Sequence, residues 1–459
     1  MRPKANAGIP KDSESPMTEE IDSTIRKDRG NCTESSDLDA PEPVNEISIS
    51  LLTGGSDRPY VYGLVTSLLP RGVTLDLIGS DELEFPDFRE LSGLNFLNLR
   101  GSNRRDVSFS RKILRVLVYY AKLVGYTATA KPKIFHILWN NKFEFFDRTL
   151  LMLWYRILGK RIVLTVHNVN ADRRDSRDSL LNRVTLRIQY RLSHRIFVHT
   201  EKMKSELIEQ FGVQGASITV IPFGINNAVP KTSLTAGGAK RQLGLCEGER
   251  TILFFGRITP YKGLEFLIAA FRQVISVGKN YRLIIAGRPD NCEEYWNTIR
   301  QDIQEEVRSG RILLKADFIP DEEAEVYFKG ADVLVLPYKD IYQSGVLFTG
   351  FNFGLPVLAA DVGSLRDDIV EGKTGFAFKP EDPADLARVI EQYFASDLYT
   401  DLDSRRREIC DYAVERHSWE VVGQMTTNVY AGLLHATSFR KSPDRDAASA
   451  SLHVKSPSR

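Results

Sequence analysis

Cysteine is scarce: Cys32, Cys246, Cys292 and Cys410 are the only four in 459 residues, far apart and without C-x-x-C or Cys/His spacing. That argues against a zinc site and a disulfide framework and leaves buried or incidental thiols. No apolar run reaches the roughly 18 residues that a membrane-spanning helix needs. The opening "MRPKANAGIPKDSESPMTEE" lacks the apolar segment of a secretory signal, so the chain is expected in the cytosol. Neither G-x-G-x-x-G nor G-x-x-x-x-G-K-[ST] occurs, which turns the reading away from dinucleotide redox chemistry and P-loop hydrolysis.

What is present suits a globular protein of two domains, with 42% hydrophobic and 26% charged residues. The net charge of +1 conceals an asymmetry. Residues 101–200 hold 20 Lys+Arg against 6 Asp+Glu, a local +14 that leaves −13 for the remainder. Either these are solvated helix faces whose counter-charges lie elsewhere in the fold, or the field attracts an anionic partner such as a membrane surface. The amphipathic "RKILRVLVYYAKLVGY" and the basic run "ADRRDSRDSLLNRVTLRIQYRLSHR" (171–195) suit a peripheral position on the inner face of a membrane. No aromatic-interleaved basic motif appears, so no nucleic-acid partner is expected.

Residues 1–44 and 438–459 are rich in Ser, Pro and charge and poor in large apolar residues, and are expected to be disordered. Between them short apolar strands alternate with helical patterns. "EISISLL", "VTLDLIG", "KIFHILW", "RIVLTVHN", "HRIFVHT" and "ITVIPFG" read as strands of a first domain over 45–228. A polar interval, 229–250, reads as a linker. The alternation restarts through "TILFFG", "YRLIIAG", "ILLKADF", "DVLVLP" and "PVLAA" in a second domain over 251–415, and a helix at 416–437 is expected to return to the first. The fold class is therefore α/β: two doubly wound, Rossmann-like parallel-sheet domains facing a central cleft. Ligands of such sheets bind at strand carboxyl ends.

Two stretches there carry chemistry. In "FFGRITPYKGLEFL" (254–267) a strand runs into Gly256-Arg257, and Lys262-Gly263 opens a helix. Two cations five residues apart on that loop can converge on one diphosphate, unless they are ordinary surface charges. In "YQSGVLFTGFNFGLPVLA" (342–359) a helix begins near Ser344. The amides of Ser344, Gly345 and Val346 are then first-turn donors, and Gly345 lets an anion approach the backbone. His167, at the end of "RIVLTVH", and Asn168 fall at a carboxyl edge of the first domain facing the cleft, which makes His167, of the seven histidines, the candidate for chemistry; a histidine satisfied by local backbone is the alternative. His199 reads as structural and His136 as packed within its strand. Gly54 and Gly55 follow the first strand, as any tight βα turn would have them. "DLD" (401–403) reads as surface charge.

"GRITPYKG", "FGLPVLAADVGSLRDDIVEGKTGFAF", "ITVIPFGIN", "DFIPDEEAEVYFKGADVLVLP" and "HSWEVV" together resemble the retaining glycosyltransferases of family 4, which have the GT-B fold. The resemblance covers nearly the whole ordered chain and is most specific in its second half. It implies transfer of a sugar from a nucleotide diphosphate sugar to a hydroxyl acceptor, lipid-linked or a glycan or exopolysaccharide precursor, with no metal and no other cofactor. Arg257 and Lys262 would hold the donor diphosphate, alongside Gly256, Gln343, Ser344, Gly345 and Val346. His167 would touch the donor sugar or steady developing positive charge at its anomeric carbon. Gly54, Gly55 and Asn168 would lie on the acceptor side. The family's E-x7-E pair falls on Ile341 and Thr349, so both carboxylates are missing; Thr349 keeps one hydrogen bond for the ribose. That departure keeps open a non-catalytic nucleotide-sugar-binding or scaffold relative. An epimerase, which shares the architecture, would need acid/base groups at the sugar that the sequence does not reveal.

Overall fold

Strands of a parallel sheet covered by helices are buried on both faces and need near-continuous apolar runs. Such runs build the computed structural model, which describes residues 47–438 except 55–56, 103–107, 142, 175–177, 226–228, 277 and 279. The expectations of disorder fall outside these residues except at Ser438, which is helical. The first sheet contains β1 (Ile47–Leu52), β2 (Val73–Gly79), β3 (Leu94–Asn98), β4 (Ile134–Ile137), β5 (Arg161–Thr165), β6 (Arg195–Val198) and β7 (Ile218–Val220). Its order is β3-β2-β1-β4-β5-β6-β7, all parallel. The second contains β8 (Arg250–Phe255), β9 (Tyr281–Ala286), β10 (Ile312–Lys315), β11 (Val333–Leu336), β12 (Val357–Ala360) and β13 (Gly375–Phe378) in the order β10-β9-β8-β11-β12-β13, also parallel. Strand order reverses between β1 and β4 and again between β8 and β11, the crevices where such sheets hold ligands.

The helices that matter below are α1 (Arg58–Leu68), α2 (Phe109–Thr129), α3 (Met152–Ile157), α4 (Leu180–Leu192), α5 (Gly345–Asn352) and α6 (Trp419–Ser438). Their starts obey local chemistry. Asp57 caps α1 by accepting from Tyr60 N at 3.1 Å, and Ser179 caps α4 by accepting from Asn182 N at 3.1 Å.

Two strands, β3 and β13, were not read from the sequence. Both are edge strands: "LNFLN" alternates half-buried and exposed positions, and "GFAF" opens on a glycine, so neither presents a plain apolar run. The interval read as a linker also holds a helix, Ala236–Gln242, capped by Thr235. Lys240 Nζ pairs there with Asp332 at 2.9 Å, just before β11.

α6 completes the core of the first sheet. Trp419, Val422, Tyr430 and Leu433 are buried with Ile49, Tyr60 and Leu64. Tyr430 Oη lies 2.6 Å from His136 Nδ1 on β4, and Trp419 Nε1 donates to the Ile225 carbonyl at 2.6 Å. Ile225 N in turn donates to the His417 carbonyl at 2.9 Å. These bonds tie together the two passages of the chain between the sheets.

Candidate active site

The loops after β8 and β11 lie side by side because those strands are neighbours. Gly256 leaves β8 with φ +101°, a conformation that favours glycine. A Cβ at Gly256 would lie 3.0 Å from Lys262 Nζ and 3.3 Å from Val346 Cγ2. The buried ammonium and the start of α5 therefore flank one point of bare backbone. Lys262 is only 6% exposed, with Nζ 5.2 Å from the centre of the Tyr338 ring. Arg257 differs: its guanidinium is 64% exposed and pairs with Asp290 at 3.1 Å. Ser344 stands before α5 with Oγ 3.4 Å from Tyr338 Oη, and makes no side-chain cap. The first-turn amides thus keep the donors that helix geometry leaves without intrahelical acceptors.

These groups border a cavity of about 370 Å³ that also takes in His167, Asn168, Gln343, Thr349 and Ile341. Four residues around this cavity each carry a buried polar atom with no hydrogen-bond partner within the protein: Tyr60 Oη, His167 Nε2 and Asn168 Oδ1 from the first sheet's side and Gln343 Oε1 from the second's. Unpaired buried polar atoms are costly, and their gathering at one cavity marks a place for a polar ligand. Thr349 Oγ1 donates to the Gly345 carbonyl at 2.9 Å, so its oxygen remains as an acceptor.

The opposite wall is aromatic. The His167 ring stacks on Trp139 at 4.2 Å and meets Tyr60 edge-on at 4.8 Å, and Phe223 and Trp419 extend the surface. His199, read as structural, has a specific partner here: its Nε2 lies 3.0 Å from His167 Nδ1, and its Nδ1 lies 3.3 Å from the Ile221 carbonyl. A carbonyl only accepts, so His199 carries its proton on Nδ1 and takes the His167 Nδ1 proton bond on Nε2. His167 Nε2 is thereby left a bare lone pair at the cavity. Burial, with His199 and His136 nearby, holds the His167 pKa well below the usual imidazole range. Burial takes His199 down to about 4. Both rings are neutral at pH 7. Asp57 stands at the edge of this wall, its carboxyl pushed up by burial and pulled back by its bond from Tyr60 N and by Arg257.

Trp139, His167 and Asn168 also line a second cavity of about 420 Å³, walled by Gly54, Arg100, Asn140, Asn141, Arg148 and Gln189 among others. Gly54 belongs here, beyond the diphosphate side. It has φ +57°, and a Cβ on it would lie 2.6 Å from the Trp139 and Asn140 carbonyl oxygens. Gly55 lies outside the described residues. Arg148 is buried, donates to Asn182 Oδ1 at 2.7 Å and leaves Nε unpartnered.

One cavity thus gathers Gly256, Arg257, Lys262, Gln343, Ser344, Gly345, Val346, Thr349, His167 and Asn168. The sequence reading missed Tyr60, Trp139, Phe223 and Trp419, which look like core residues in any pattern, and the part played by His199. "HSWEVV" was noticed, but nothing in it says that Trp419 reaches a cavity. Among the described residues no group of three His, Cys, Asp or Glu side chains could hold a metal. Cys246, Cys292 and Cys410 are free thiols.

Two family models match: Glycosyltransferase Family 4 over residues 54–229 and Glycosyl transferases group 1 over 249–396. This chain belongs to glycosyltransferase family 4. Family 4 relatives include the D-inositol 3-phosphate glycosyltransferase of Streptomyces avermitilis, 25% identical over 246 residues, 53% of this chain and 52% of that one. That of Thermomonospora curvata is 26% identical over 251 residues, 52% and 57% of the two chains. The chain spans about half the length of the curated relatives it matches. Among solved structures the family 4 chain resembles sucrose-phosphate synthase from Thermosynechococcus elongatus (TM-score 0.68, 18% identity, 85% of this chain and 99% of that one). It also resembles Anabaena HepE in complex with UDP and glucose (TM-score 0.65, 17% identity, 84% and 100%). The fold is GT-B.

Proposed function

We propose that this chain moves a sugar from a nucleotide diphosphate sugar to a hydroxyl acceptor, keeping the anomeric configuration. The observation that carries this is the shared cavity: Lys262, Gly256 and the start of α5 on one wall, the His167 lone pair on the other. The reading needs a ligand of the class that HepE holds, UDP and glucose.

The main barrier in such a transfer is separating an anionic diphosphate from an oxocarbenium-like sugar. Lys262 Nζ and the amides of Gly345 and Val346 would receive the charge that grows on the leaving oxygens, a role fixed dipoles fill without reorganising. Arg257, held by Asp290 at the mouth, would grip the outer phosphate oxygens. His167 Nε2 would accept a proton bond from a sugar hydroxyl, and Asn168 Oδ1 and Gln343 Oε1 offer two more acceptors. The leaving phosphate oxygen can take the acceptor proton on the face it departs from. No protein base is demanded, which suits a wall whose histidines burial holds below the usual imidazole range and so makes weak bases. The acceptor would enter through the second cavity, whose amide and guanidinium lining suits a polyhydroxyl group. We read it as lipid-linked and presented at an anionic membrane.

The non-catalytic reading is favoured by Ile341 and Thr349, which stand at the cavity where the family's carboxylates would be. The test is to incubate the chain with several nucleotide sugars, with and without hydroxyl acceptors, and follow nucleotide release and the donor's own configuration. Release that depends on acceptor is the expected result. No release with tight nucleotide binding would mean a non-catalytic relative, and an isomerised donor an epimerase.

A further inference from the structure

Exposed apolar surface is spread unevenly over this chain. Of sixteen large apolar side chains that stand exposed among the described residues, twelve lie between Ile113 and Val184. They come from three adjoining elements. α2 is exposed at Ser110 and at every position from Arg111 to Leu114. Across segment 143–157, Leu150, Leu153 and Ile157 face outward at 62%, 47% and 70% exposure, while Leu151, Met152 and Tyr155 are buried. α4 turns out Leu180, Leu181 and Val184 beside Arg183, Arg187 and Arg191, the last three at i, i+4 and i+8 on one row of the helix. Trp154 Nε1 donates to Thr127 Oγ1 of α2 at 3.0 Å, and Arg148 reaches Asn182 of α4 at 2.7 Å, so the three lie side by side.

We propose that this face docks on a bilayer of anionic phospholipid, its leucines and isoleucine entering the headgroup boundary while Arg187 and Arg191 of α4 meet lipid phosphates; Arg183 is paired with Asp178 at 2.6 Å. Large contiguous apolar patches on a protein surface usually mark an interaction site. Charge selects the occupant. Residues 101–200 carry +14 while the rest of the chain carries −13, so a second copy docked on the same face would set like charge against like. No helix among the described residues is long and apolar enough to cross a membrane, so the face lies on the bilayer, as amphipathic surfaces do. The inner side of α4 supplies Leu186, Gln189 and Tyr190 to the second cavity. On the transfer reading, a lipid-anchored acceptor would therefore meet that cavity about one helix diameter, roughly 10 Å, from the membrane.

The test is sedimentation of the full chain with vesicles of phosphatidylglycerol and phosphatidylcholine, against phosphatidylcholine alone, at low and high salt and without donor. Binding is expected to the anionic vesicles, weakening with salt. It should be lost in the triple variant L150S/L153S/I157S and weakened about thirtyfold in R187Q/R191Q, about fivefold per charge. Unfolding midpoints equal to the parent's establish that both variants fold, and R187Q/R191Q carries the test alone should the triple variant unfold. No sedimentation with anionic vesicles, or binding unchanged in R187Q/R191Q, overturns the proposal. So does a solution dimer that the triple variant splits while vesicle binding stays as it was, since the face would then belong to a second copy. Because no donor is present, failure here leaves the transfer assay to stand or fall by itself.

Discussion

The two walls of the main cavity are built on opposite plans. The wall from the second sheet is backbone and fixed charge: Gly256, Lys262, Arg257 and the opening turn of α5. The wall from the first sheet is rings, with Tyr60, Trp139, His167 and Phe223 joined by Trp419, and its histidines are uncharged. A pyrophosphate gains from the first plan, because cations and oriented amides act strongly where water is excluded. A sugar gains from the second, because neutral acceptors and flat apolar faces suit its hydroxyls and C–H surfaces. The division of chemistry follows the division of the fold.

The largest way to break the comparison is to remove the ring that completes the second plan. Trp419 packs so closely that a Cβ at Gly63 or Gly224 would fall within 2.4 Å of its ring atoms. Trp419→Ala should cost about 3–5 kcal/mol, read as a lower denaturant midpoint, and should expose Tyr60 to solvent quenchers. Lys262→Ala strikes the other wall. Turnover should fall on the order of 10²–10³ with the fold intact. Arg257→Ala should cost less, since that guanidinium is exposed and shared with Asp290. Equal losses in the two variants would show that the buried ammonium has no privileged place.

His167→Ala should lower transfer about tenfold, the worth of one unmade hydrogen bond, while nucleotide affinity measured by calorimetry stays within twofold of the parent. His199→Phe leaves His167 free to choose its tautomer. It should give a smaller loss, with a pH profile shifted from the parent's.

The smallest effect is acid sensitivity, and it should be lopsided. Burial lowers His136 to about 3 and His199 to about 4. The unfolded chain therefore binds protons that these folded rings refuse, and stability is lost as pH falls from about 6.5 to about 4 for His199 and on to about 3 for His136. Asp147, raised by burial to about 6, opposes this in the same half by keeping a proton that the unfolded chain gives up. In the second half Asp368, raised by burial to about 7, stands against His417, lowered by burial to about 4. Amide exchange at pH 5 should accordingly loosen the first sheet before the second. Uniform loosening would remove the distinction.

These contrasts also explain what could be read in advance. The cation loop and the "SGV" helix start were legible because their chemistry is local: residue types a few positions apart suffice to define an anion site. The aromatic wall was not, because Tyr60, Trp139, Phe223 and Trp419 come from four distant places and each looks like core. His199 needed coordinates, since its role is a single bond to a ring 32 positions away. The same distinction holds in the fold. Central strands such as "VLVL" declare themselves by burial on both faces, whereas the edge strands β3 and β13 are partly wet or begin on glycine and give no such pattern.

The placement of α6 bears on how the molecule comes to exist. A ribosome makes β1 before the second sheet, yet the core around β1 lacks Trp419, Val422, Tyr430 and Leu433 until the chain has passed through the whole of that second sheet. The half of the molecule begun first is finished last. A nascent chain stalled before Trp419 should carry a settled second sheet and an unsettled first one, a natural substrate for chaperones that recognise bare apolar surface.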